Sequence, residues 1–312
     1  MSTESVSAPS PASAPTRGGR DDGFDDARAL IARWLLTAGV PADRAWDVAR
    51  ELESILAAHG GDLASPVELR GLGHRLLREH VGGRTAERLR CWHEFEELDR
   101  PLVVMIGGAA GVGKSTVATQ LAYRLGITRV SSTDLIRQVL RSVVPAAIAP
   151  ELSRSSFELD GGRSRIRRGR PVDFERQARQ VMVGVNATIE RAVAEGSPVI
   201  VEGIHLLPEL VDPGAVPQGL LVHVVLSVEC QHEHGTRFRV RARCSERPAD
   251  RYLAGLARIR ELQDHVVASA HRVGTPVLAN RRVDATVRDV LDEVFTAVEG
   301  VLAGGEPEPV RQ

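Results

Sequence analysis

The segment from Gly108 to Ser115 has the spacing G-x-x-x-x-G-K-S, which places a lysine and a hydroxyl directly after a flexible turn. An apolar run precedes the segment and a helical pattern follows it, as a phosphate-binding loop requires. In such a loop the backbone N–H groups and the N-terminus of the next helix attract phosphate oxygens. The predicted nucleotide-binding residues are Gly108, Ala109, Ala110, Gly111, Val112, Gly113, Lys114, Ser115 and Thr116.

This motif predicts two ligands, ATP and Mg²⁺. Lys114 would reach the β- and γ-phosphates and take part in catalysis, and Ser115 would bind Mg²⁺ through its hydroxyl. The alternative is a glycine-rich turn without a ligand. The composition argues against it: the chain has 40 lysines and arginines, and Lys114 is the only lysine. Arginine serves at every other position, so the lysine marks a place where a compact ammonium differs from a planar guanidinium.

Two acids follow predicted strands at the edge of the sheet where ligands gather. Asp134 comes after the second strand, where a carboxylate can orient an acceptor hydroxyl and accept its proton. The alternative for Asp134 is a helix N-cap. Glu202 follows Val199-Ile200-Val201, the pattern of the acid that binds the Mg²⁺ hydration shell. The alternative for Glu202 is a solvated strand end, and the predicted metal ligands are Ser115 and Glu202.

Two runs of arginine could neutralise the charge that gathers on a transferred phosphoryl group. The first follows the fourth strand, where a lid that closes over ATP is expected, and Arg237 and Arg241 are its predicted catalytic members. The second run, from Arg163 to Arg170, could clamp an anionic substrate or bind nucleic acid. Because the chain is rich in arginine, a surface position is the alternative for each of them. The lid run comprises Arg237, Arg239, Arg241, Arg243 and Arg247.

The chain as a whole favours no charged partner, since the formal net charge is −1. Three widely spaced cysteines argue against a disulfide framework and favour a cytoplasmic location. The longest apolar stretch, Leu220 to Val228, is too short to cross a bilayer. We therefore expect no membrane and no nucleic acid as partners, and a homo-oligomer stays open.

The apolar periodicity divides the chain into four parts. Residues 1–23 are rich in Ser, Ala, Pro and Gly and are expected to be a disordered tail. Residues 24–99 have a helical pattern and predict a small all-α domain. Residues 100–304 alternate strands with helices, which predicts an α/β domain with a five-stranded parallel sheet sandwiched by helices. One long helix is expected from Pro248 to about Arg272, and residues 305–312 are expected to be a loose tail.

The α/β part resembles the archaeal-type 2-phosphoglycerate kinase family, and the helical front resembles the ATP-cone module that precedes the kinase in some members. The front has only Arg17-Gly18-Gly19-Arg20 where that module carries a basic nucleotide-contacting segment. The segments that carry the kinase resemblance are Ile106 to Thr116, Ser132 to Arg141, Val201 to Pro208, His234 to Arg241, Tyr252 to Arg260 and Pro276 to Asn280.

This resemblance implies a P-loop kinase that phosphorylates the 3-hydroxyl of 2-phosphoglycerate with ATP. The substrate contacts that we expect on this basis are Asp134, Arg137, Glu202, His205 and His234. A structural metal at His232 and His234 is the weaker reading, because histidines two residues apart do not share a helix face. The alternatives are a kinase of another phosphorylated or polyol substrate, a nucleotide-sensing regulator with little turnover, and an enzyme acting on nucleic acid.

Overall fold

The computed structural model describes residues 22–58, 66–159, 166–167, 170–212, 214, 216, 219–243 and 249–304. Several predicted features lie outside these residues: the tails except Asp22 and Gly23, most of the arginine run from Arg163 to Arg170, and the lid residue Arg247. None of the described helices is both long and apolar enough to cross a membrane.

Four helices come first, and they pack around leucines spaced for one buried face. Leu35, Leu52, Leu77 and Leu89 are almost wholly shielded from solvent between them. The helices are α1 Asp22–Thr37, α2 Ala42–Ala58, α3 Pro66–His80 and α4 Gly83–Glu96.

The sheet that follows has five parallel strands, which confirms the prediction. Its spatial order is β2-β5-β1-β6-β7, so the central strand β1 carries the phosphate loop at its carboxyl end. The strands are β1 Leu102–Gly107, β2 Arg129–Ser132, β5 Val199–Gly203, β6 Leu220–Ser227 and β7 Val277–Ala279, and a separate antiparallel pair is formed by β3 Ile166–Arg167 and β4 Arg170–Pro171.

Helices cover both faces of the sheet. As a result, every residue of the central strand β1 is buried. Val104 and Ile106 belong to the core on one face, and Val103 and Met105 to the core on the other. This is the burial that a central parallel strand requires. The helices are α5 Lys114–Leu125, α6 Thr133–Val143, α7 Val172–Ala194, α8 Gln231–Arg243, α9 Ala249–Ala254, α10 Leu256–Val273 and α11 Val283–Leu302.

The long helix expected from Pro248 to Arg272 is in fact two helices, α9 and α10, which meet at Gly255. A side chain at this position would lie 2.9 Å from the ring of Phe157, so the chain passes close to that ring. Arg251 and Tyr252, on α9, belong to the wall of the cavity described below.

The helical front shares a hydrophobic core with the α/β part. Trp92 and Phe95 of α4 belong to the same buried cluster as the sheet, and the Trp92 and Phe295 ring centroids are 6.3 Å apart. Thr37, at the end of α1, donates its hydroxyl to the carbonyl of Arg124 at 2.7 Å. The helices therefore rest on α11 and on α5, the helix that follows the phosphate loop.

Candidate active site

One cavity of about 1080 Å³ lies at the carboxyl edge of the sheet. Its walls come from the phosphate loop, the start of α6, residues 155–157, α8 and α9. Lys114, Asp134, Arg137, Glu202, Arg237 and Arg241 all line it. The structure therefore brings together six of the predicted site residues that lie far apart in the sequence.

The phosphate loop follows a path that only glycine allows at two positions. Gly111 and Gly113 have φ angles of 82° and 95°, in the left-handed region. A Cβ at Gly111 would lie 2.5 Å from the ring of Phe238, and one at Gly113 would overlap the side-chain amide of Asn280. The side chains of Phe238 and Asn280 thus pack closely against the phosphate loop.

Lys114 starts α5 and places its amine within that hollow. Its Nζ donates to the carbonyl of Ala109 at 2.9 Å. Burial lowers the pKa of this amine, and the carboxylates of Glu202 and Asp134 oppose the shift. A buried ammonium held by a single backbone carbonyl is strongly stabilised by an incoming phosphate, so the residue fits its predicted role.

Ser115 and Glu202 meet at the mouth of the loop. The hydroxyl of Ser115 donates to Oε1 of Glu202 at 2.8 Å. Glu202 is the next-to-last residue of β5 and its side chain is buried, so the alternative of a solvated strand end does not hold. A hydroxyl and a carboxylate beside a phosphate site are the oxygen donors that Mg²⁺ takes. These two residues therefore fit the predicted ion.

Asp134 lies in the first turn of α6, but it is not the residue that caps the helix. The N-cap is Ser132, whose hydroxyl accepts from the backbone N–H of Leu135 at 3.2 Å. The carboxylate of Asp134 stays 64% exposed and lies 3.8 Å from Nε of Arg137. A carboxylate that is spared from capping and lines the cavity can accept a proton from an acceptor hydroxyl.

Arg137 is buried and serves as an anchor as well as part of the wall. Its guanidinium donates to the carbonyls of Leu152 and Arg154, at 2.8 and 3.3 Å. It therefore ties the segment around residues 150–155 to the start of α6, next to Asp134.

The four described lid arginines, Arg237, Arg239, Arg241 and Arg243, lie on α8, and two of them line the cavity. Arg237 donates to the carbonyls of Val112, at 3.2 Å, and Asn280. The guanidinium of Arg241 lies over the ring of Tyr252, 4.5 Å from its centroid. Arg237 thus contacts the phosphate loop, and Arg241 lines the same cavity against Tyr252.

The structure places His205 and His234 behind the cavity wall, and neither lines it. Nδ1 of His205 is 2.7 Å from the hydroxyl of Thr133, and Nε2 is 3.2 Å from both Ser156 and Gln177. Burial lowers the pKa of His205 to about 4, so the ring is neutral. Any effect on substrate passes through these neighbours.

Nε2 of His234 donates to the carbonyl of Ala110 at 2.7 Å, and the ring stacks on Phe238. The residue thus supports the phosphate loop from outside. The described part of the chain has no group of three or more His, Cys, Asp or Glu that could hold a metal ion, and this includes His232 and Glu233.

Asn280 is a site residue to which the sequence assigned no role. Its amide donates to the carbonyl of Val112 at 2.7 Å and accepts from the hydroxyl of Thr286 at 3.0 Å. The signal for it was available, because Asn280 directly follows β7 at the carboxyl edge of the sheet. Arg251 and Ser155 also line the cavity and also had no predicted role.

Comparison with known proteins gives concordant matches. A family model described as an AAA domain matches residues 103–266. A 2-phosphoglycerate kinase of Pyrococcus horikoshii is 35% identical, covering 89% of this chain and 92% of that protein. Proteins of the same name from Pyrococcus furiosus and Methanopyrus kandleri are each 33% identical, covering 86% and 90% of this chain and 88% and 86% of their own lengths.

Proposed function

Because the chain belongs to the 2-phosphoglycerate kinase family, we propose that it is an ATP-dependent kinase that phosphorylates 2-phosphoglycerate to 2,3-bisphosphoglycerate. The observation that carries the proposal is the position of Asp134. Its exposed carboxylate shares one cavity with the phosphate loop and is not needed to cap α6. A site that only bound or sensed ATP would need no such group.

In the proposed reaction the loop amides and Lys114 hold the triphosphate, and Ser115 and Glu202 hold Mg²⁺, which neutralises charge on the phosphates. The acceptor hydroxyl oxygen forms a bond to the γ-phosphorus, and the bond from that phosphorus to the β,γ-bridging oxygen breaks, which leaves ADP. The proton of the hydroxyl passes to the carboxylate of Asp134. Arg237 and Arg241 balance the charge that develops on the oxygens.

The charge of the cavity suits an anionic acceptor. The cationic residues in its lining are Lys114, Arg137, Arg237, Arg241, Arg251 and Arg281, and the anionic ones are Asp134, Glu202 and Glu233. Two of these cations are already paired with carboxylates outside the lining, Arg251 with Glu158 and Arg281 with Glu229. The arginines still supply hydrogen-bond donors for an anionic group on the acceptor, and an uncharged polyol would not use them.

The test is ADP formation by the purified protein with Mg-ATP, with and without 2-phosphoglycerate. We expect turnover that depends on the acceptor. Lys114→Ala should abolish it, and Asp134→Asn should lower kcat by about 10²- to 10⁴-fold with little change in ATP affinity. Arg239→Ala is the matched control, since Arg239 is exposed on α8 and does not line the cavity.

Equal ATP consumption with and without any acceptor, across phosphorylated three-carbon acids and polyols, would refute the kinase proposal. If a different compound of that panel is turned over, that compound is the substrate in place of 2-phosphoglycerate. The proposed phosphoryl transfer from ATP to a hydroxyl would be unchanged.

A regulatory role for the helical front is a second candidate, favoured by its contacts with α5. Thr37 bonds to the carbonyl of Arg124, and the side chain of Arg33 packs against Gly126 at the end of that helix. A nucleotide sensor predicts an ATP-dependent change in oligomeric state with almost no turnover. Size-exclusion profiles that are the same with and without ATP would count against this regulatory role. ATP binding by the front, self-association and a cytoplasmic location stay predictions.

A further inference from the structure

Part of the cavity wall has no role in the reaction described above. It consists of Ser155, Phe157, Arg251 and Tyr252, which we call the second wall. Ser155 and Phe157 come from the segment between α6 and α7, and Arg251 and Tyr252 come from α9. The two pieces meet through ring contact, with the centroids of Phe157 and Tyr252 5.3 Å apart.

The second wall lies on the side of the acceptor carboxylate. Arg137 makes the link, because its Nε is 3.8 Å from Asp134 and its Nη1 donates to the carbonyl of Arg154 at 3.3 Å. Arg154 directly precedes Ser155. A molecule that presents its hydroxyl to Asp134 therefore has Arg137 beside it, and Arg137 in turn contacts the segment that carries Ser155.

Arg251 is held in a fixed orientation within this wall. Its Nε donates to Glu158 at 2.7 Å and one Nη donates to the hydroxyl of Ser155 at 2.7 Å. The guanidinium also lies 5.6 Å from the ring centroid of Phe157. The pKa of Glu158 is lowered by its bond to Arg251, so the pair stays ionised.

These contacts use two of the five N–H donors that a guanidinium carries. The side chain is 49% exposed, so its other donors are accessible from the cavity that it lines. An arginine whose plane is already fixed loses little conformational freedom when it binds an anion. It is also suited to the bidentate geometry of a phosphate.

We propose that Arg251, supported by Ser155, binds the phosphate group that the acceptor already carries. The site thereby selects a phosphorylated hydroxy acid over the same acid without phosphate. This inference rests on the proposed function and adds its specificity determinant. Glu158 acts as a positioning residue for Arg251, and Phe157 gives the guanidinium its support.

The experiment compares Arg251→Met and Arg251→Lys with the native protein, using 2-phosphoglycerate and glycerate as acceptors. Arg251→Met should raise KM for 2-phosphoglycerate about 10- to 100-fold, while KM for ATP stays within about twofold. The preference for 2-phosphoglycerate over glycerate should fall by a similar factor. Arg251→Lys keeps the positive charge but not the planar guanidinium that binds phosphate in a bidentate way. Its KM for 2-phosphoglycerate should therefore lie between those of the native protein and Arg251→Met.

Arg272→Met is the matched control. Arg272 lies on α10 and makes the same kind of paired contact with Glu209, at 2.7 and 2.8 Å, but it does not line the cavity. It should leave both KM values unchanged. An unchanged KM for 2-phosphoglycerate in Arg251→Met, or an equal rise for ATP, would overturn the proposal.

A separate measurement distinguishes failure of the inference from failure of the proposed function. If the native protein does not turn over 2-phosphoglycerate, titration calorimetry with inorganic phosphate, in the presence of a non-hydrolysable ATP analogue, still reports on the subsite. Weaker phosphate binding by Arg251→Met and by the milder Ser155→Ala would support the subsite. Equal binding by all three proteins would refute it. Far-UV circular dichroism establishes that each variant is folded.

Discussion

Gly203 and Thr133 are in close contact, and each is the chain neighbour of one of the two acids predicted at the site, Glu202 and Asp134. A Cβ at Gly203 would lie 2.6 and 2.7 Å from the Cβ and Cγ2 of Thr133 and would overlap its hydroxyl. That hydroxyl contacts His205, and Ser132 pairs with Glu202 across β2 and β5. Asp134 and Glu202 are therefore positioned by residues that stand directly beside each of them.

Gly203→Ala should consequently destabilise the protein and disturb the site. The added Cβ has no room, because Thr133 already fills the space beside Gly203. The resulting overpacking should lower the free energy of unfolding by about 1–3 kcal/mol. Urea unfolding followed by circular dichroism measures the free energy, and kcat should fall in parallel. Gly300→Ala is the control: nothing lies within 4 Å of a Cβ there, and in the last turn of α11 the change should be neutral or stabilising by up to about 1 kcal/mol.

Among single residues, the sequence predicted those that would bind ligands or react better than those that hold them in position. Lys114, Ser115, Asp134 and Glu202 were predicted because motif spacing and strand ends place them at one edge. His205 was expected at the substrate, yet it is buried by Thr133, Ser156 and Gln177, which are 72, 49 and 28 residues away. Contacts over such separations leave no local pattern.

Helix α4 is the element whose packing has the largest consequence. Cys91, Trp92 and Phe95 bury against the helices that cover the sheet, and Arg88 forms an ion pair with Asp292 of α11. The amphipathic pattern predicted that α4 has a buried face, but it cannot say which partner covers that face. This is why a boundary drawn at residue 99 from sequence separates α4 from part of its own core.

A pair of truncations tests this packing. A chain that begins at Pro101 should aggregate or unfold at low denaturant concentration, because loss of the two aromatic side chains alone exposes core at a cost of about 3–5 kcal/mol each. A chain that begins at Gly82 keeps α4 and should keep a cooperative transition. Urea unfolding monitored by far-UV circular dichroism, a signal that does not rely on tryptophan fluorescence, compares the stabilities of the two chains. Equal stability of the two chains would show that α4 is not part of the core.

The strands themselves were predictable, since short apolar runs alternating with helical patterns specify a parallel sheet. The division of the helix at Gly255 was not predictable, because the close neighbour of this glycine is Phe157, 98 positions earlier in the chain. A glycine within a helical pattern is compatible with either outcome.

Among the residues that the structure describes, buried histidines make stability depend on pH, and the pKa is lowered most in three of them. Burial lowers the pKa values of His93, His205 and His223 to about 4 each. Below pH 6.5 these histidines gain protons in the unfolded chain while the folded state stays neutral. The unfolded state then binds more protons, so the stability contributed by each group is complete above pH 6.5 and is lost as the pH falls toward 4.

The free energy of unfolding should therefore decrease between pH 6.5 and 4, by a few kcal/mol in total and at most about 3 kcal/mol per histidine. Denaturation at a series of pH values measures the slope. His205→Asn removes one titrating group and should reduce the slope by about a third. His232→Asn changes an exposed residue of α8 and should leave it unaltered. A slope that is the same in all three proteins would contradict this origin.

The amine of Lys114 has a consequence for chemical modification. It is the only lysine side chain in the sequence, and it lies inside the cavity among the loop carbonyls. Burial lowers its pKa, which raises the share of the unprotonated, nucleophilic form. An acylating reagent thus meets a single lysine in this chain, at the place where phosphates bind. Acylation of this one lysine, measured on the peptide that contains it and so kept apart from the reactive α-amino terminus, reports the fraction of vacant sites without the background that surface lysines give in most proteins.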